Sequence, residues 1–277
     1  MILVFDVGNS ETTIGLFNDT ELRGQWRIMT GVSRTADEFG VLIRSLLAHD
    51  GFDVDQIDGA AIASVVPRVN GPLSEACARY LPVSSAVIVD GSSPLPIRLQ
   101  VDEPMTVGAD RIINTLVASR VFEKDCIVVD LGTATTFDCI TADGVFLGGA
   151  IAPGIGMSAE TLASKTAKLP STELRVPSRA IGTRTEECIR AGVIFGAADA
   201  VDGMIRRIRK EWPRKTPPMV IATGGFAAVM GDLCEELDRV EPHLTLRGLQ
   251  LAYAILSTNL RPGPAGQSRS KGQPAAK

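Results

Sequence analysis

The chain predicts an α/β protein of two similar lobes, and three observations carry that expectation. The apolar run Ile2–Phe5 leads into Asp6-Val-Gly-Asn-Ser-Glu-Thr12, and Cys126–Val129 leads into Asp130-Leu-Gly-Thr-Ala-Thr-Thr136. The Asp, the Gly and a later Thr fall in step, which marks an internal duplication. Strand patterns and helical patterns alternate through both halves. The length of 277 residues, 45% of them apolar and 22% charged, suits one large domain or two small ones with a sizeable core.

The first half opens as a β-meander, with strand patterns at Ile2–Phe5, Ile14–Phe17 and Leu22–Ile28. Thr35, with Glu38 three residues later, forms a capping box. Phe39, Leu42, Ile43, Leu46 and Leu47 follow at helical spacing. Gly59–Val66 then predicts a buried strand, Asn70–Tyr80 a helix and Ala86–Val89 a further strand, giving the order βββαβαβ. A helix is expected from Ala109 to Phe122, with Ile112, Ile113, Leu116 and Val117 on one face, before the strand pattern restarts at Cys126. Thr185–Arg209 predicts a long helix bearing Ile189, Val193, Ala197, Val201, Ile205 and Ile208 in one stripe. Met219–Ala222 predicts a strand that ends in Thr223-Gly224-Gly225. From Arg261 onward Pro, Gly, Ser and Lys prevail without apolar period, the composition of a disordered tail.

Composition removes several function classes. A net charge of −4 and a pI near 5.4 do not provide the clustered Lys and Arg that a nucleic-acid partner needs. No apolar stretch reaches the roughly 20 residues that span a bilayer, and Asp6 interrupts the apolar start before it forms a signal-peptide core. A cytoplasmic location without a membrane partner is the expectation. Five widely spaced cysteines without a CxxC pair imply neither disulfides nor zinc. Only two histidines, His49 and His243, are present. Chemistry therefore has to rest on carboxylates, hydroxyls and backbone groups.

The repeated device supplies those groups. A strand that ends in Asp and then Gly places a carboxylate and several backbone N–H donors at one tight turn. Gly8 and Gly132 allow the chain to approach an anion closely. Asn9, Ser10, Thr12, Thr13, Thr133, Thr135 and Thr136 add neutral donors, whereas Asp6 and Asp130 attract the cation that accompanies ATP. One such turn is an ordinary strand end. Two copies together with Thr223-Gly224-Gly225 point to a nucleotide.

With DVGNSETTIG, DLGTATTFD and TGG in place, the chain resembles the sugar kinase, heat-shock chaperone and actin superfamily, in which ATP lies between duplicated lobes. The resemblance narrows through Ser64–Pro67 (SVVP), Gly108–Arg111 (GADR), Gly148–Gly154 (GGAIAPG), Thr166–Pro170 (TAKLP) and Ile181–Thr185 (IGTRT). This ordered series is similar to that of type III pantothenate kinases and covers Met1 to about Asn259. It implies two ribonuclease-H-like (actin-like ATPase) lobes, at 1–118 and 119–259, with a nucleotide cleft between them and a disordered tail at 260–277. The implied reaction is ATP-dependent phosphorylation of pantothenate to 4′-phosphopantothenate, the first step of coenzyme A biosynthesis.

By the same resemblance, Asp6, Val7, Gly8, Asn9, Ser10, Glu11, Thr12, Thr13 and Thr133 would hold ATP. Val101, Gly108, Ala109, Asp110, Arg111 and Thr185 would form the pantothenate site, with Asp110 as catalytic base. Asp130 would bind a monovalent cation, K⁺ or NH₄⁺, and Asp6 would contact the Mg²⁺ that accompanies ATP. A homodimer is expected from the family and from the apolar stripe after Thr185, which looks longer than one lobe covers. Taken alone, Asp110 also suits a helix start, Arg111 a structural ion pair and Thr185 a helix N-cap. Three positions depart from the family pattern: Val101 replaces a common Tyr, Ser10 a Thr and Arg184 an Asn. The alternative these departures leave open is a non-catalytic regulator of the same fold that binds nucleotide or pantothenate.

Overall fold

A computed structural model describes residues 1–260, so the tail expected at 260–277 lies outside the described residues except for Leu260. The meander is present as β1 (Ile2–Val7), β2 (Glu11–Asn18) and β3 (Glu21–Met29). Then follow α1 (Ala36–His49), β4 (Gly59–Ser64), α2 (Pro67–Tyr80) and β5 (Val87–Val89). The capping box of α1 forms as expected: the Thr35 hydroxyl accepts from the Glu38 N–H at 3.3 Å, and the Glu38 carboxylate accepts from the Thr35 N–H at 2.7 Å. The first sheet has the order β3-β2-β1-β4-β5, with β4 parallel to β1.

The second half contains β6 (Arg98–Leu99), α3 (Ala109–Val117), β7 (Cys126–Leu131), β8 (Ala134–Ile140), β9 (Val145–Pro153) and α4 (Ile155–Lys165). It continues with α5 (Thr185–Glu211), β10 (Met219–Thr223), α6 (Ala227–Gly231), β11 (Arg239–Val240) and α7 (Leu244–Leu260). The helix expected over Ala109–Phe122 is α-helical to Val117 and then widens into a π turn, Ala118–Phe122. The second sheet runs β11-β10-β7-β8-β9-β6. Apart from β6, its strands repeat the first sheet: an antiparallel meander, then a parallel strand beside its first member.

Alternation along the strands explains the unbroken apolar runs. Leu3, Phe5 and Val7 pack toward α1 and α2, while Val4 faces the opposite side with α3 and α7. In β7, Ile127 and Val129 pack against α5, while Cys126 and Val128 face Val117 of α3 and Leu244 of α7. Helices α3 and α7 thus form a layer between the two sheets. Gly248 permits their close approach, since a Cβ there would run into the Ile113 side chain.

Packing crosses the expected boundary after residue 118. Strand β6, before it, hydrogen-bonds to β9, and α7, far beyond it, buries Leu249, Ala252 and Leu256 against Val4, Phe17 and Ala61 of the first sheet. An apolar face is covered by whatever surface lies nearest in space, regardless of chain order. The stripe of α5 is likewise covered within its own lobe: Ile189, Val193, Val201 and Ile205 are buried, with Ala197 and Ile208 packed beside them. It leaves no long apolar seam that calls for a second copy.

Candidate active site

The two duplicated hairpins end on the face that looks toward α3. Asp6 shares a face with Val4, and Asp130 shares one with Val128, by the two-residue period of a strand. Asp6 pairs with Thr13 on β2 and Ala63 on β4; Asp130 pairs with Thr136 on β8 and Thr223 on β10. Each turn is closed in the same way, Gly8 N–H donating to the Glu11 carbonyl at 3.0 Å and Gly132 N–H to the Ala134 carbonyl at 3.1 Å. The turns meet where the Thr133 hydroxyl donates to the Ser10 hydroxyl at 3.0 Å.

Asp110 enters in the first turn of α3, whose N-cap, Gly108, has no side chain to cap it. A Cβ on Gly108 would strike the Asp110 carboxylate, so glycine leaves that oxygen its space. The same carboxylate accepts the Arg111 N–H at 2.8 Å. Asp6, Asp110 and Asp130 are half-buried residues. None of the three forms an ion pair among the described residues.

Their electrostatics mark them as one cluster. Burial, followed by the charges of Asp130 and Asp110, pushes the Asp6 carboxyl up to about 8. Burial, followed by the charges of Asp110 and Asp138, pushes Asp130 up to about 7. Burial also raises Asp110, against the opposing pull of the Arg111 N–H and guanidinium. Clustered carboxylates with raised pKa values and no ion pair among the described residues suit a cation. Among the described residues no three His, Cys, Asp or Glu side chains are grouped so as to hold a metal by themselves. A divalent ion here would take its remaining ligands from a triphosphate and water.

Arg111 does not pair with its neighbour Asp110. Its Nε donates to Asp138 Oδ1 at 2.6 Å, and its guanidinium lies over the Phe146 ring at 4.9 Å. Asp138 is fully buried, and burial raises its carboxyl while Arg111 draws it back. The motif DLGTATTFD ends in Asp138, to which the sequence alone assigns no role. The available signal was an ionisable residue between Phe137 and Cys139, on the same strand face as Thr136.

The expected nucleotide residues divide. Gly8, Asn9, Ser10, Thr13 and Thr133 are accessible around the two turns. Val7 is in the core, the Thr12 hydroxyl pairs with that of Thr30 at 2.8 Å, and Glu11 lies 3.6 Å from Arg27, so these three have mainly backbone groups to offer. Val101 packs half-buried near Val117 and Phe146, and Ala109 is buried in the layer between the sheets. Thr185 is the exposed first residue of α5 and is not its N-cap, a position held by Arg184. The turn before α5 is closed by Glu187, which accepts from the Thr183 N–H at 2.9 Å.

Comparison with known proteins decides the family. A protein-family model described as type III pantothenate kinase matches residues 2–207. The chain belongs to the type III pantothenate kinase family. Members act in coenzyme A biosynthesis, and the chain is accordingly a kinase. The protein of Moorella thermoacetica described as type III pantothenate kinase is 42% identical over 254 residues, covering 91% of this chain and 98% of the relative. A Roseiflexus protein of the same description is 44% identical over 255 residues, covering 92% and 99%.

Solved structures bear on the fold of this type III pantothenate kinase. Component A of (R)-2-hydroxyglutaryl-CoA dehydratase from Acidaminococcus fermentans aligns with a TM-score of 0.53 at 15% identity, covering 93% of this chain and 98% of the other. The activator of 2-hydroxyisocaproyl-CoA dehydratase from Clostridium difficile, solved with bound ADPNP, aligns with a TM-score of 0.53 at 12% identity, covering 99% of each chain. The shared architecture is the duplicated actin-like ATPase and sugar kinase fold, as expected from the repeated hairpins. Among the described residues no helix is long and apolar enough to cross a membrane.

Proposed function

We propose that ATP and pantothenate meet at the Asp6, Asp110 and Asp130 cluster, where the γ-phosphoryl group passes to the pantothenate hydroxyl to give 4′-phosphopantothenate and ADP. The observation that carries this reading is the convergence of three half-buried carboxylates, none ion-paired among the described residues, at the two Gly-containing turns. The N–H groups and hydroxyls of Gly8, Asn9, Ser10, Thr13 and Thr133 orient the triphosphate. Asp110 accepts the hydroxyl proton as the pantothenate oxygen bonds to phosphorus and the bond to the bridging oxygen of ADP breaks. Burial raises its proton affinity, which suits a base.

Asp6 would hold Mg²⁺ and Asp130 a monovalent cation, K⁺ or NH₄⁺. Bound there, cations would neutralise charge that otherwise repels the triphosphate. Arg111 presents its guanidinium to the pantothenate carboxylate, Gly108 and Ala109 shape the approach to Asp110, and Val101 and Thr185 complete the acceptor site. We also infer a homodimer in the cytoplasm. The dimer is supported by the family resemblance and by exposed apolar side chains on α4 and the segment after it, Met157 at 42%, Val176 at 50% and Ile181 at 81% exposure.

ADP release measured with and without pantothenate tests the reaction. Stimulation by pantothenate is expected; binding without turnover would favour the regulator reading invited by Val101 and Arg184. Replacing K⁺ with tetramethylammonium should slow turnover, and unchanged turnover would remove the cation role of Asp130. Sedimentation as a monomer at micromolar concentration would remove the dimer.

A further inference from the structure

The pair between Arg111 and Asp138 belongs to a buried relay that the reaction scheme leaves unused. Both oxygens of Asp138 are occupied: Oδ1 accepts from Arg111 Nε at 2.6 Å, and Oδ2 accepts from Asn114 Nδ2 at 3.1 Å. Asn114 in turn accepts from the Thr245 hydroxyl of α7 at 3.5 Å, a long contact. Asp138 is 0% exposed, Asn114 1% and Thr245 7%, so none of the three reaches a ligand directly. The Arg111 side chain keeps 16% exposure.

Each edge of the guanidinium is accounted for. Nε is held by Asp138, the plane rests on Phe146, and Nη2 lies 3.4 Å from the Phe137 carbonyl. Nη1 makes no hydrogen bond among the described residues. Gly149 keeps this arrangement open: a Cβ there would strike the Phe137 carbonyl and come within 2.9 Å of Nη2. A buried ion pair of this kind adds little stability over an apolar replacement of the same shape. What it does provide is a fixed direction for a planar group.

We propose that Asp138, supported by Asn114, is a positioning residue that locks the Arg111 guanidinium in the orientation that reads the acceptor's carboxylate. This rests on the reading of Arg111 as the carboxylate site. Removing the lock costs recognition of the carboxylate, while the nucleotide site, where Asp130 feels Asp138 only as a nearby charge, is affected less.

The test compares pantothenate with pantothenol, which carries a primary alcohol in place of the carboxylate, by calorimetric binding to the wild type, Asp138→Asn and Asp138→Glu. Steady-state KM for ATP and melting temperature are measured alongside. A misplaced clamp costs on the order of 10-fold to 100-fold. Pantothenate affinity is therefore expected to fall by about that factor, with pantothenol affinity within about twofold of the wild type and, in Asp138→Glu, which keeps the charge that Asp130 feels, KM for ATP within about twofold as well. Equal losses for the two ligands, or unchanged pantothenate binding in a folded variant, overturns the proposal. Failure of both variants to fold overturns it too, because the pair would then serve stability. Because binding is read separately from turnover, a wild type that binds pantothenate without releasing ADP fails the kinase reading and leaves this one standing on its own result.

Discussion

The hairpin from Asp6 to Thr13 and the hairpin from Asp130 to Thr136 are copies of one device in different surroundings. The first turn is one residue longer, with its last strand pair at Val7 and Thr12 against Leu131 and Thr135 in the second. Beside Asp6, β4 ends at Ser64, whose hydroxyl accepts from the Val66 N–H at 3.0 Å as the chain enters α2. Beside Asp130, β10 ends at Thr223, and Gly224 follows with φ at +92°, its Cα so close that a Cβ would meet Asp130 Oδ1 and the Leu131 backbone. The neighbouring charges differ as well: Asp6 feels Asp130 and Asp110, whereas Asp130 feels Asp110 and Asp138. Duplication supplied two equal carboxylates, and the elements packed around them made them unequal.

Asp110 stands close enough to act on both copies, so changing it should have the largest effect. Asp110→Asn should lower kcat by about 10²–10⁴ while ATP binding and melting temperature stay near the wild type. Wild-type turnover in that variant would end its assignment as base. Next in size is the glycine beside the second hairpin. Gly224→Ala places a side chain at positive φ and into Asp130, at a cost of roughly 1–3 kcal/mol. Gly8→Ala should cost less, because Gly8 is not at positive φ and its Cβ would sit 3.1 Å from the Glu11 carbonyl. Denaturant melts of the two variants compare the turns directly, and equal losses would erase the contrast.

A pH series sharpens the electrostatic side. In the folded protein both carboxyls hold protons that the unfolded chain has already released. Their contribution to stability is therefore full below the ordinary carboxylate pKa, and it is lost as pH rises through about 7 for Asp130 and about 8 for Asp6. Without nucleotide or added cations, the melting temperature should fall between about pH 5 and pH 8. Asp6→Asn and Asp130→Asn should each flatten that fall. A flat profile over the same window would show both groups ionised in the folded state. The smallest effect belongs to the contact between the copies. Thr133→Val removes the bond to Ser10 at an exposed position and should cost no more than about 1 kcal/mol, which a double-mutant cycle with Ser10→Ala would resolve.

Much of the architecture was legible because local patterns reported it. Thr35 with Glu38 marked the start of α1, and unbroken apolar runs marked β1, β4, β7 and β10. The equivalence of Asp6 and Asp130 was visible from the aligned Gly and Thr residues alone. Asp110 was recognisable only within GADR, since one carboxylate at a helix start has an ordinary structural use. The destination of Arg111 was not legible at all: its partner, Asp138, lies 27 positions along the chain, on β8 rather than on its own helix.

The sequence by itself determined β1 to β5, β7, β10, α1, α2, α3 and α5, the duplication and the family, because periodicity, caps and ordered motifs are properties of neighbouring residues. Tertiary structure alone decided that α7 returns to the first sheet, that β6 joins the second, and that the α5 stripe is consumed within its own lobe. It also decided which carboxylates stay half-buried and which one is sealed against Arg111. Those outcomes depend on which buried surfaces and charges meet in space, and burial and charge pairing act across distances that no local pattern encodes.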